Sequence, residues 1–116
     1  MADFIRVQTE SAVNVVEMAL PEYMDTSEFD RLNESLMNLF DGKRPKHWIL
    51  DLSAVSYMGS AMLGLMVNFR QRVLAGKGKM VLCCVSPRLH EIIKTCCMDR
   101  LFPIAKSRSD AMKLAK

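Results

Sequence analysis

The stretch "WILDLSAVSYMGSAMLG", residues 48–64, decides the fold, because it passes from a buried strand to the first turn of a helix. The apolar run "HWILDL" is typical of a strand that is covered on both faces. From Ser60 to Ala75 the apolar residues recur with helical spacing. Ligands of parallel α/β sheets lie beyond the carboxyl ends of the strands, and Ser60 falls at such an end. The sequence therefore predicts an accessible serine hydroxyl at a strand-to-helix junction.

The rest of the chain repeats this alternation of strand and helix. Apolar patterns predict strands near residues 4–9, 13–19, 47–52, 79–85 and 102–105, with "TESA" as a hairpin turn between the first two. Helical spacing and capping residues predict helices near residues 26–41, 60–75, 87–96 and 108–115. The order ββαβαβαβα predicts an α/β fold with a central mixed, mostly parallel sheet of about five strands and about four helices.

Length and composition indicate a single globular domain over residues 1–116, since half of the residues are apolar and a quarter are charged. The longest apolar runs are shorter than the roughly 20 residues of a membrane span, and "MADFIRVQTE" lacks the layout of a signal peptide. We therefore expect a cytoplasmic protein without a membrane partner. The basic group Lys43, Arg44 and Lys46 has no interleaved aromatic residues, which argues against nucleic acid as a partner.

Four cysteines form two adjacent pairs, Cys83-Cys84 and Cys96-Cys97. Neighbouring residues of a strand point to opposite faces, so Cys83 and Cys84 are not expected to ligate one metal ion. A C-x-x-C motif is missing from the sequence. We therefore predict buried, reduced thiols, with no metal and no cofactor. A small thiol or metal protein that uses the cysteine pairs is kept as an alternative.

Ser60 has a structural interpretation and two functional ones. Serine is a preferred N-cap, so its hydroxyl can simply cap the helix. A hydrolase nucleophile elbow would need glycines two residues to either side, where this chain has Met58 and Met62. A phosphoryl group would gain from the free N–H groups and the dipole at the helix start. It would also place nearly two negative charges on a surface where Met58, Ala61 and Met62 are expected to be exposed.

Residues 48–104 resemble a STAS domain of the anti-sigma-factor antagonist family. The family signature is an apolar strand ending in Asp-Leu-Ser and an aromatic-x-Asp-Ser-Ser-Gly-Leu-Gly junction, followed by a glycine-containing entry to the next strand and a helix opened by Ser-Pro. The matching residues are Asp51, Leu52, Ser53, Tyr57, Ser60, Leu63, Gly64, Gly76, Gly78, Ser86, Pro87 and Leu101.

The resemblance implies a signalling switch rather than an enzyme. It implies that an anti-sigma-factor serine kinase phosphorylates Ser60 and that a PP2C-type phosphatase reverses the reaction. The unphosphorylated form would bind the kinase and free its sigma factor. The partner-binding residues would be Asp25, Met58, Gly59, Ser60, Ala61 and Met62, and the protein would act as a monomer or weak dimer.

Four positions depart from the family pattern. Gly59 replaces the acid before the acceptor, Ala61 replaces the second serine, and Met62 replaces a glycine. Cys97 stands where the family often has a glycine after the third helix, which predicts strain at that helix end or a longer helix. The Gly59 departure leaves an alternative open, in which the chain is a degenerate STAS module that binds its partner constitutively and Ser60 is only a cap.

Overall fold

Five strands form one mixed sheet in the computed structural model, which describes residues 4–116. The strands are β1 (Ile5–Glu10), β2 (Val13–Ala19), β3 (His47–Ala54), β4 (Met80–Cys83) and β5 (Ile104–Ala105). They lie side by side in chain order; β1 is antiparallel to β2, and every other neighbouring pair is parallel. The predicted α/β fold with a mostly parallel sheet is confirmed, while the first three residues of the predicted domain lie outside the described residues.

Four α-helices follow the parallel strands, also as predicted. They are α1 (Thr26–Asn38), α2 (Ser60–Ala75), α3 (Pro87–Thr95) and α4 (Arg108–Ala115), and a 3-10 turn (Leu39–Asp41) continues α1. Side-chain caps fix three of the helix starts. Asp25 and Glu28 form a capping box on α1, Ser86 accepts from the backbone N–H of Leu89, and Ser107 accepts from that of Asp110.

The opening hairpin turns at Ser11 and Ala12, which have φ angles of 47° and 67°. Glu10 and Val13 pair directly across this two-residue turn. Two positive φ angles in succession are characteristic of a type I′ turn, which matches the right-handed twist of the strands. The predicted turn in "TESA" is confirmed, although neither central residue is the usual glycine or asparagine.

The two faces of the sheet carry different helices. Val16, Leu50 and Leu82 pack in the larger core cluster, together with buried residues of α1, α2 and α3. Their neighbours in the strands, including Ile49 and Val81, pack in a smaller cluster with Ala111 and Ala115 of α4. Alternate residues therefore serve opposite faces, and this explains why the middle strands are apolar throughout.

The parallel order of β2 to β5 puts four strand-to-helix junctions at one edge of the sheet. Each of these strands ends there, and the helix that follows it begins there. The amino-terminal ends of all four α-helices therefore lie near this edge, α1, α2 and α3 on one face and α4 on the other. We call it the junction edge.

Candidate functional site at the junction edge

Two buried side chains hold the loop between β3 and α2. Val55 and Met58 are each only 2 % exposed and pack in the larger core cluster. The backbone N–H of Val55 donates to the carbonyl of Leu52 at 3.0 Å, which turns the chain as it leaves β3. The loop is thereby fixed near both of its ends, and Gly59 and Ser60 follow it at the surface.

Ser60 is the first residue of α2, in agreement with the predicted helix over residues 60–75, and the interpretation of Ser60 as the N-cap is wrong. Gly59 is the N-cap: it has an extended conformation (φ −83°, ψ 177°), and its carbonyl accepts the first helical hydrogen bond, from the backbone N–H of Leu63 at 3.0 Å. No side-chain hydrogen bond caps α2, so the first-turn N–H groups that an N-cap side chain would reach have no side-chain acceptor. Ser60 is exposed, and capping does not occupy its hydroxyl.

The first turn of α2 is electrostatically uncompensated. It has no acidic residue and no side-chain cap, whereas α1 begins with the Asp25–Glu28 capping box. The first backbone N–H groups of a helix point outward without an intrahelical acceptor, and the helix dipole adds about half a positive charge there. An anionic group attached to Ser60 would therefore be stabilised by its own helix.

An apolar groove borders this helix start. We call it the junction groove; its two walls are residues 20–24 with Phe29, and residues 57–59 with residues 61 and 62. It encloses about 220 Å³. Tyr23 is 80 % exposed and Tyr57 is 39 % exposed, and both are large apolar side chains of a kind that is enriched at protein interfaces.

The expected exposure of Met58 and Met62 is wrong. They are 2 % and 6 % exposed and form the floor of the junction groove, because their long side chains extend into the core below it. Ala61 is exposed, as expected. Tyr23 is not among the predicted partner-binding residues, although its position soon after the end of β2 places it at the junction edge.

A polar network forms part of the rim of the groove. Glu22 accepts from Nη1 of Arg88 at 2.9 Å, and the Ser56 hydroxyl lies 3.4 Å from the same carboxylate oxygen. The Arg88 guanidinium also lies 5.4 Å from the centre of the Tyr57 ring. Such an exposed ion pair contributes little to stability. The effect of the network is local, because it connects the start of α3 with the loop after β2 and with the loop between β3 and α2.

His47, one of the two histidines of the chain, lies far from Ser60. His47 begins β3, whereas Ser60 lies beyond the far end of that strand, which spans about 23 Å at a rise of about 3.3 Å per residue. His47 Nδ1 accepts from the backbone N–H of Lys79 at 3.0 Å. Burial, followed by the charges of Lys46 and Lys79, lowers the pKa of His47. His47 therefore cannot act as the base for Ser60.

The STAS domain family model matches residues 6–111, which is most of the chain. The chain belongs to the STAS domain family. A solved anti-sigma-factor antagonist (STAS) domain protein from Planctomyces limnophilus has a TM-score of 0.82 at 24 % identity, with 96 % of this chain and 97 % of that chain covered. The expected resemblance is thereby confirmed.

Two further solved structures share the fold. An anti-sigma factor antagonist from Mycobacterium paratuberculosis has a TM-score of 0.77 at 22 % identity, covering 96 % of this chain and 92 % of that one. The Bacillus cell fate determinant SpoIIAA, in its phosphorylated form, has a TM-score of 0.68 at 14 % identity, covering 97 % and 99 %. Within residues 4–116 of this STAS domain, no helix is long and apolar enough to cross a membrane.

Asp25 has a structural role in this STAS domain. Its carboxylate accepts from the backbone N–H of Glu28 at 2.8 Å, and its own N–H donates to the Glu28 carboxylate at 3.1 Å. It is exposed but is not one of the residues that line the junction groove. Its predicted contact with a partner stays a prediction.

Gly59, where the STAS signature has an acid, is not required by the backbone. Its φ of −83° is available to every residue. A Cβ placed there would meet only the Cε2 and hydroxyl oxygen atoms of Tyr57, each at 3.9 Å, which is ordinary van der Waals contact. The fold would therefore accept an acidic side chain at this position.

The cysteine pairs differ from their predicted arrangement. Cys83 is fully buried, but Cys84 has a φ of 61° and ends the strand, so the two Sγ atoms lie 3.6 Å apart instead of on opposite faces. Burial, and then the neighbouring Cys84 thiol, raises the pKa of Cys83. The prediction of buried thiols is wrong for Cys96 and Cys97, which are exposed at the end of α3. All four are free thiols.

Cys97 takes the strained position that the family pattern suggested. Its φ is 58°, and it follows the C-cap residue Cys96. The backbone N–H of Cys97 donates to the carbonyl of Lys94, and that of Met98 donates to the carbonyl of Ile93. These two bonds form a Schellman motif, in which the left-handed residue is usually glycine. The helix is therefore not lengthened, and Cys97 is held in a left-handed conformation that is unfavourable for a residue other than glycine.

Proposed function

We propose that this STAS domain is a phosphorylation-controlled antagonist of an anti-sigma factor. In its unphosphorylated form it binds an anti-sigma-factor serine kinase through the junction groove and the exposed start of α2. The kinase transfers the γ-phosphoryl group of ATP to Ser60 Oγ, so that ADP leaves and the hydroxyl proton is lost. A PP2C-type phosphatase hydrolyses the phosphate ester and restores the hydroxyl.

One observation carries this proposal: the Ser60 hydroxyl is exposed on an uncompensated helix start beside an apolar groove. Exposure makes the hydroxyl available to a kinase. The free N–H groups of the first turn favour the phosphorylated product. That a STAS-fold neighbour is known in a phosphorylated form supports the same chemistry here.

The groove explains how phosphorylation would control binding. A partner that covers Tyr23 and Tyr57 gains affinity by removing their apolar surface from water. The same contact would take a phosphate on Ser60, with nearly two negative charges at neutral pH, out of water. Each 1.4 kcal/mol of that desolvation cost lowers affinity about tenfold, so phosphorylation and docking oppose each other.

Gly59 supports a second candidate, a STAS module that binds its partner constitutively. A kinase that recognises the acid found in the family signature would not find it here, although the backbone would accept it. In this alternative the junction groove still docks a partner, but Ser60 is never modified.

Phosphopeptide mass spectrometry after incubation with ATP and an anti-sigma-type kinase from the same organism separates the two candidates. The switch predicts a phosphate on Ser60 and its loss on addition of a PP2C-type phosphatase. The Ser60→Ala variant is the matched control, and it should bind the kinase without being modified. Persistent binding of the wild-type protein with no phosphate on Ser60 would favour the constitutive module.

A further inference from the structure

A second cluster of reactive side chains lies at the junction edge, on the face of the sheet that α4 covers. Asp51 ends the apolar part of β3, and Cys83 is its partner residue across the β3–β4 pair. Ligand atoms of Asp51, Cys83 and Cys84 all lie within 4.8 Å of one another. We call these residues the thiol cluster.

The backbone brings the three side chains together. Residues paired across neighbouring strands project to the same face, which places Asp51 beside Cys83. The left-handed conformation of Cys84, with a φ of 61°, then turns its side chain back to within 3.6 Å of the Cys83 sulfur. Asp51 and Cys83 are buried, and Cys84 is partly exposed, which leaves an approach from solvent.

The spacing suits a tetrahedral metal ion. Two thiolates bound to Zn²⁺ at about 2.3 Å lie about 3.8 Å apart, and a carboxylate oxygen at about 2.0 Å lies about 3.5 Å from each of them. The sulfur–sulfur distance of 3.6 Å is already close to this geometry. The carboxylate oxygen lies within 4.8 Å of both sulfurs and has to move closer by at most about 1.3 Å, which rotation about its broad terminal torsion can supply.

The surrounding charges also suit a divalent cation. Arg108 Nε lies 3.7 Å from a carboxylate oxygen of Asp51, and its Nη2 lies 3.6 Å from Glu17. Both nitrogens are buried and have no hydrogen-bond partner among the described residues. Two thiolates, Asp51 and Glu17 would carry four negative charges, of which a divalent cation and the Arg108 guanidinium together neutralise three.

We propose that Asp51, Cys83 and Cys84 bind a thiophilic divalent cation of the Zn²⁺ and Cd²⁺ class. The ion takes two sulfurs and one carboxylate oxygen from the protein and a water molecule as its fourth ligand. Each thiol gives up its proton to solvent as its metal–sulfur bond forms. The site faces α4 and is separate from the junction groove, so it does not depend on the proposed phosphorylation of Ser60.

The test is a titration of the fully reduced chain with Cd²⁺ and, separately, with Zn²⁺. Calorimetry gives the stoichiometry and affinity, and the ultraviolet thiolate-to-metal charge-transfer band of the Cd²⁺ complex reports sulfur ligation. We expect one ion per chain. The Cys96→Ser/Cys97→Ser double variant is the matched control, because it removes the other adjacent cysteine pair, and it should bind like wild type.

Two single variants test the ligands. Cys84→Ser should weaken binding about tenfold or more and reduce the charge-transfer band. Asp51→Asn keeps the side-chain volume and should weaken binding while leaving the band, since both thiolates remain. Circular dichroism checks that each variant is folded. Wild-type affinity in Cys84→Ser, loss of binding in the Cys96/Cys97 variant, or no one-to-one binding of either ion by the wild type would overturn the proposal.

Discussion

Ser60→Asp places a carboxylate on the first residue of α2, where the structure predicts opposite effects on stability and on binding. The first turn has no acid and no side-chain cap to compensate its N–H groups. A negative charge at such a position stabilises a helix by about 0.5 kcal/mol. For a domain of this size that corresponds to a rise in melting temperature of about 2 °C.

Binding should change in the other direction. A partner seated over Tyr23 and Tyr57 would cover the start of α2 and would have to remove water from the new carboxylate. Even a partial desolvation cost of about 1.5 kcal/mol lowers the affinity about tenfold, because the stabilisation by the helix is the same in the free and the bound protein. Phosphate on Ser60 should have a larger effect, because it carries more charge.

The assay pairs thermal unfolding with calorimetric titration against the candidate kinase. Ser109→Asp is the matched control: Ser109 is the second residue of α4, is exposed, and lies on the other face of the sheet. It should leave the affinity unchanged and raise the melting temperature less than Ser60→Asp does, because the start of α4 already has the side-chain cap Ser107 and the acid Asp110. If Ser60→Asp gains stability and still binds as tightly as wild type, the start of α2 is not part of the docking surface and the switch is refuted.

Two substitutions test the backbone, and one reactivity measurement tests the thiols. Cys97→Gly should stabilise the chain by about 1 kcal/mol in urea unfolding, because it relieves a left-handed cysteine; an unchanged midpoint would contradict the strain. Gly64→Ala should also stabilise by about 1 kcal/mol, measured in the same way, since a Cβ in this exposed part of α2 meets nothing within 4 Å; a loss of stability would mean that the position is constrained. A chromogenic thiol reagent should react quickly with Cys96 and Cys97, more slowly with Cys84 and slowest with the buried Cys83, and equally with all four in denaturant; fast reaction of Cys83 in the native state would contradict its burial.

The fold could be predicted from the sequence because its signals agree at several levels. Strands covered on both faces gave continuous apolar runs, as in β3, and the capping residues Asp25, Ser86 and Ser107 marked helix starts that the structure confirms. Strand ends were less predictable. Residues 84 and 85 continue the apolar run of β4, but the strand stops at Cys83, since pairing with β5 extends no further.

The place of Ser60 at a strand-to-helix junction was predicted, but the burial and direction of the side chains at the junction edge were not, for two physical reasons. The hydrophobicity of a methionine at a loop end does not show whether its side chain points into the core or into solvent. In this structure both Met58 and Met62 are buried in the core below the junction groove. Alternation of side chains holds only while the backbone is extended. The positive φ of Cys84 breaks that alternation. It could not be predicted from the sequence, because the residue is neither a glycine nor an asparagine.

The lack of a charge at Gly59 affects the choice between a phosphorylation switch and a constitutive module. An acid there would place a negative charge one residue before the phosphate acceptor and would compete with the phosphate for the first-turn N–H groups. The backbone conformation at this position would also allow an acid. With glycine, the first-turn N–H groups stay free, and there is no negative charge to repel the phosphate. The departure that removes a recognition element for a kinase therefore also favours the phosphorylated product. For this reason the loss of the acid argues for a changed kinase preference more strongly than for the loss of phosphorylation at Ser60.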